Sequence, residues 1–143
     1  MKHPFAVPAH LSPDLARVQA YWRGLLRGAA TMPFWDDAKL SDLPDLTERL
    51  FLIDAFQDPE RFRLAQVGAG IGGQELEGLF LDEADLAWPF AFLGAQCSVT
   101  LECAGPTCFR GDDAGDRKAY ARLLLPMWGD GRISMLLGAV GVD

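Results

Sequence analysis

Between Arg49 and Val140 the chain sets out one order of segments: two strand-like runs joined by a short turn, a glycine-rich and helical middle, then a hairpin closing through Gly129-Asp130-Gly131. The run Leu50-Phe51-Leu52-Ile53 is β-prone and apolar on both faces, which predicts a central strand covered on two sides, and Asp54 ends it. Gln57-Asp58-Pro59 supplies a turn, and from Arg61 to Val67 Phe62 and Leu64 alternate with Arg61 and Arg63, the pattern of a half-exposed strand. Residues 49–67 therefore read as a hairpin. Cys108 and Phe109 suit a short edge strand, and Gly111 to Asp116 an acidic loop. Lys118 to Met127 and Ile133 to Val140 read as two long strands, with glycines in the turn where positive φ is needed.

Ahead of these strands, Ser12-Pro13-Asp14 is a helix start: a hydroxyl to cap, proline at the first position and a carboxylate at the positive end of the dipole. Leu15, Val18, Trp22, Leu25 and Leu26 recur at helical spacing and Gly28 offers the stop, so an amphipathic helix is expected over 13–28 after a flexible 1–12. Its stripe would serve equally to cover the chain's own sheet or to pair with a second copy. Residues 31–48, with Met32-Pro33, Asp36-Asp37 and Leu43-Pro44-Asp45, favour a connection anchored by Phe34 and Trp35. Asp82-Glu83-Ala84-Asp85 begins a helical stretch that Trp88-Pro89 interrupts, and an apolar path through Phe90, Leu93, Cys97, Val99 and Leu101 is expected to lie against the sheet.

At 143 residues and half apolar, the chain can bury one core and is too short for two ordinary domains, so 29–143 is expected to be a single domain. The formal charge of −7 repels phosphates, and no basic patch offsets it, which argues against nucleic acid and anionic membranes as partners. The first residues hold no apolar run suited to a signal peptide and no later stretch approaches a membrane span, so the expected location is the cytoplasm. Cys97, Cys103 and Cys108 fit neither a zinc knuckle nor a CxxC pair and read as small apolar groups. Gly68, Gly70 and Gly73 satisfy a G-x-G-x-x-G register, but the strand before them is half of a hairpin and the parallel crossover of a dinucleotide fold is missing.

A leading helix, two strands, a helical middle and three strands make an α+β tally. The residues Tyr21-Trp22, Leu25-Leu26-Arg27-Gly28, Met32-Pro33, Leu50 to Asp54, Arg61 to Leu64 with Val67-Gly68 and Ile71, Glu75 to Gly78, Leu124 to Met127, Asp130-Gly131 and Leu136 to Ala139 follow in an order that resembles short single-domain bacterial PAS proteins, from about Leu15 to Val140. Phe34-Trp35 depart from that pattern, which tends there to be polar or basic, and Gly72-Gly73 loosen the strand exit. The resemblance implies a five-stranded antiparallel sheet with helices on one face, a leading helix used for dimerisation, and signalling through a small molecule or an unidentified signalling protein. It names neither.

The chemistries known for such domains each require particular residues. The histidines, His3 and His10, both precede the first helix, which argues against a histidine-ligated haem; Met127 or Met135 would be the remaining ligands. Residues 70–81 hold no cysteine for a flavin adduct, while Cys97 or Cys103 lies where a thioester-linked chromophore would need one. An uncoloured apolar ligand, or none, remains. Strand alternation assigns Phe51, Ile53, Leu123, Leu125, Ile133, Met135 and Leu137 to the inner sheet face, with Phe90, Leu93 and Cys97 opposite. The same residues would serve as plain core; a buried Gln66 or Ser134 would favour a ligand site. With no histidine in the core, Ser-His-Asp and Cys-His sets cannot be assembled, and Asp54 or Glu102 as a lone buried base is the weaker alternative, so no enzyme is expected. An interaction module is the rival reading, with Trp22, Phe34, Trp35 and Trp128 as anchors and the helix stripe Leu15, Val18, Trp22, Leu25 and Leu26 as the surface for a homodimer.

Overall fold

The computed structural model describes residues 5–112 and 118–142. Helix α1 (Pro13–Gly24) is followed by three short 3-10 turns and strand β1 (Leu50–Phe56). Then come β2 (Arg61–Val67), two further 3-10 turns, α2 (Leu93–Cys103), β3 (Thr107–Gly111), β4 (Tyr120–Gly129) and β5 (Arg132–Val142). The strands form one antiparallel sheet of five in the order β2-β1-β5-β4-β3, an α+β fold. The hairpin expected over 49–67 is present, and β1, apolar on both faces, sits between β2 and β5. The long hairpin turns through Asp130 and Gly131, both at positive φ (56° and 76°), the two-residue loop whose twist matches its strands. Most of the acidic loop expected over 111–116 lies outside the described residues.

Helices cover both faces of the sheet, with the leading helix on the face that α2 leaves. On one face α2 sets Leu93 and Cys97 against Phe51, Ile53, Leu64, Leu124 and Leu136. On the other α1 sets Leu15, Val18 and Trp22 against Leu50, Leu123, Leu125, Leu137 and Ala139. Phe51 lies across Gly138, where any Cβ would collide with its ring, and meets the Phe90 ring edge-on at 5.5 Å. A side chain at 138 would therefore have to displace the ring that seals this face.

The helical elements differ from expectation at their ends. Helix α1 stops at Gly24 instead of Gly28, and its end is closed by the Leu25 N–H donating to the Trp22 carbonyl and the Leu26 N–H to that of Arg23. Residues 82–92 turn without forming a regular helix, and α2 begins only at Leu93. Within the middle expected to be helical, residues 78–81 instead run along the outer edge of β2: Leu64 donates to the Leu79 carbonyl, and Gly78 and Leu81 donate to the carbonyls of Leu64 and Phe62. Phe5 belongs to the fold rather than to a loose terminus, being buried with its carbonyl accepting the Cys108 N–H at the edge of β3. Both outer strands are thus covered along part of their length, which blunts strand-to-strand association.

Candidate functional site

The predicted pocket residues separate into two groups. Phe51, Ile53, Phe90, Leu93 and Cys97 do come together under α2, and Ile133 packs at their margin. Leu123, Leu125, Met135 and Leu137 belong to the opposite face. The register explains the error: Phe51 pairs with Gly138 and Ile53 with Leu136, so the partners of the inner β1 residues fall one position away from those assigned. Gln66 is exposed, and Ser134 keeps a buried Oγ with no hydrogen-bond partner among the described residues, beside Trp35 and Gly129. No polar set converges on the predicted apolar group from those two residues.

What occupies the α2 face beside this group is Arg122, fully buried and placed there by its pairing with Phe109 and Val140. Its Nε donates to Gln96 Oε1 and its two terminal nitrogens to the carbonyls of Pro89 and Ala91, each at 2.8 Å. The guanidinium sits 4.7 Å from the Phe109 ring centre. Gln96 in turn donates to Thr107 Oγ1 and the Arg122 carbonyl, and Thr100 joins Thr107 at 2.7 Å. Burial pulls the Arg122 pKa down to about 10, which leaves it charged near neutral pH. The cation is satisfied by oxygens of neutral groups, so it ties the 89–91 turn, α2 and β4 together. In the sequence its one signal is a lone arginine inside the apolar run Tyr120 to Met127.

The chain's candidates for chemistry lie apart. Asp54 is half-buried and paired with Arg63 at 2.8 Å, and Glu102 is exposed on α2. His10 is exposed, and His3 lies outside the described residues. Burial pushes the Cys97 and Cys108 thiols up, away from the thiolate, while Cys103 is exposed. Within the G-x-G-x-x-G run the N–H of Gly68 goes to the Leu50 carbonyl, and those of Ile71 and Gly73 go to the Gly68 carbonyl. Gly68 packs against the backbone of Thr47 and Glu48 so closely that no Cβ fits, a structural reason for that glycine.

Of the two uses open to the α1 stripe, covering the chain's own sheet is the one observed. Leu15, Val18 and Trp22 are buried against the sheet, Leu25 is packed beside them, and Leu26 is half-buried. Trp22 Nε1 donates to the Pro126 carbonyl at 2.9 Å. The other predicted anchors do reach the surface. Phe34 meets Trp35 at 5.8 Å and Trp128 at 5.0 Å between ring centres, and Trp35 and Trp128 remain 39% and 41% exposed. The cluster is held because Trp128 donates its N–H to Pro33, which brings residues 33–34 alongside β4.

From Trp35 a groove of about 740 Å³ runs over the part of the sheet that α1 leaves open. Its floor is Leu52, Ala65 and Met135, and Trp35, Asp36 and residues 38–41 wall one side. A bulge between β1 and β2 leaves Ala65 as the extra residue, and both Ala65 and Gln66 line the groove. Comparison with family models, with curated proteins and with solved structures finds no match to this chain. No helix among the described residues is long and apolar enough to cross a membrane.

Proposed function

We propose that this chain is a PAS-like interaction module without catalytic activity, acting in signalling through non-covalent contact with a protein partner. The observation that carries this reading is that exposed aromatic side chains and an open groove stand together around Trp35, while the core directly under α2 is filled. Under α2 the space is filled by Phe51 lying on Gly138 and against Phe90, and by the bonded Arg122. On the other face the groove that starts at Trp35 is open, and Trp128 is exposed beside Phe34. Exposed aromatic side chains held in a fixed cluster are the residue types that anchor protein interfaces. The leading helix, hairpin, helical middle and three closing strands support the PAS-like part of the reading.

Native mass spectrometry with an absorbance spectrum, on protein purified without added ligand, tests it. A bare mass with no absorbance beyond the aromatic side chains is expected. A mass excess released by denaturation would replace the interaction module with a small-molecule sensor.

A further inference from the structure

The groove beside Trp35 is built for a partner of a particular charge. Its floor is apolar, while its rim carries the carboxylates of Asp36, Glu48 and Glu77 against one cation, Lys39. Lys39 is already bonded to Asp36 at 3.0 Å, and neither Glu48 nor Glu77 forms an ion pair with a described residue. Glu77 accepts the Val67 N–H and so is fixed at the groove. The chain's charge of −7 adds a field of the same sign, which opposes a second copy, a nucleic acid or an acidic peptide at this place.

Strand addition is a poor route for the partner, since residues 78–81 run along β2 and Phe5 bonds to the edge of β3. A helix laid into a groove satisfies its own backbone and needs only apolar anchors on one face, with charge at the flanks. We infer that the groove takes a cationic amphipathic helix of a partner protein, its apolar side chains seated on Leu52, Ala65 and Met135 beneath Trp35 and its lysines or arginines meeting Glu48 and Glu77. The inference rests on the interaction-module reading above and names the partner's chemistry.

The probe is a fluorescein-labelled peptide of leucine and lysine at helical spacing, about 14 residues long, where isolated helices begin to form, with a leucine–glutamate peptide of the same pattern as counterpart. Anisotropy is read on the full-length protein, on E48K/Q66K in the groove, and on E102K/Q57K, which makes the same charge change at exposed positions elsewhere. The wild-type chain should bind the lysine peptide at least about tenfold more tightly than the glutamate peptide. E48K/Q66K should lose about tenfold while E102K/Q57K stays within about threefold. Equal losses in both variants, or no saturable binding, overturns the inference, as does a dimer mass that E48K/Q66K abolishes. Native mass spectrometry on the same samples separates the two levels: a bare monomer mass with no peptide binding overturns only the cationic partner, whereas a released small molecule overturns the reading beneath it.

Discussion

Trp22 of α1 donates its indole N–H to the carbonyl of Pro126 on β4, 104 residues later in the chain, in a fully enclosed contact. Proline has no N–H for a ladder, and β3 pairs no further along β4 than Leu124. Beyond that point the open side of β4 is closed by Trp22 and by the Pro33 carbonyl that accepts the Trp128 N–H. The leading helix is thereby part of the sheet's closure.

A Trp22→Phe substitution should therefore lower unfolding free energy by about 1–3 kcal/mol, the cost of a buried carbonyl left without its donor. Urea denaturation measures it. Trp22→Glu should unfold the chain instead of converting a dimer to a monomer; a folded Trp22→Glu protein of halved mass would contradict the burial of this stripe.

Arg122→Met leaves the oxygens of Gln96, Pro89 and Ala91 without donors and should cost about 3 kcal/mol. Adding Gln96→Leu removes one of the stranded groups, so the double variant should be less destabilised than the sum of the singles, measured as a double-mutant cycle. Strict additivity would mean that the two residues do not act as one unit.

Gly138→Ala drives a methyl into the Phe51 ring and should destabilise by about 1–3 kcal/mol. Phe51→Leu in that background should recover part of the loss, because the smaller side chain vacates the space. Thermal melting of Gly138→Ala, Phe51→Leu and the double variant decides between this and a purely conformational glycine effect.

Tyr21 donates its hydroxyl to Asp42 at 2.6 Å, and burial with that bond pushes its pKa up to about 12. The folded state then holds a proton that the unfolded chain has released. Stability from this group is complete below about pH 10, the unfolded value, and is lost as pH rises toward 12. Phenolate absorbance should show a component near pH 12 that Tyr21→Phe removes, and the variant's stability should fall less over the same window.

Thiol labelling offers a direct check of the core. Cys103 is exposed whereas Cys97 and Cys108 are buried with thiols pushed away from ionisation. One thiol should react quickly in the folded protein and the other two only on unfolding, which mass spectrometry of labelled peptides resolves.

Local patterns carried most of the architecture. Alternation at Arg61 to Leu64, the continuous apolar run of β1 and the Asp130-Gly131 turn marked strands whose pairing then followed from short connections. Faces were less legible. Phe51 and Leu125 are both apolar residues in apolar runs, and nothing local to either run says which neighbours share a face when both faces are buried.

The sequence by itself determined an α+β chain with a leading amphipathic helix, two early and three late strands and an acidic balance, because periodicity, turn residues and charge are local properties. Only the tertiary structure decided that α1 closes its own sheet, that Arg122 is held inside by Gln96 and two carbonyls, and that the opening lies between Trp35 and Met135. Each of these depends on which distant residues meet across the sheet, and contacts between residues far apart in the chain are set by register and packing rather than by any segment's own pattern.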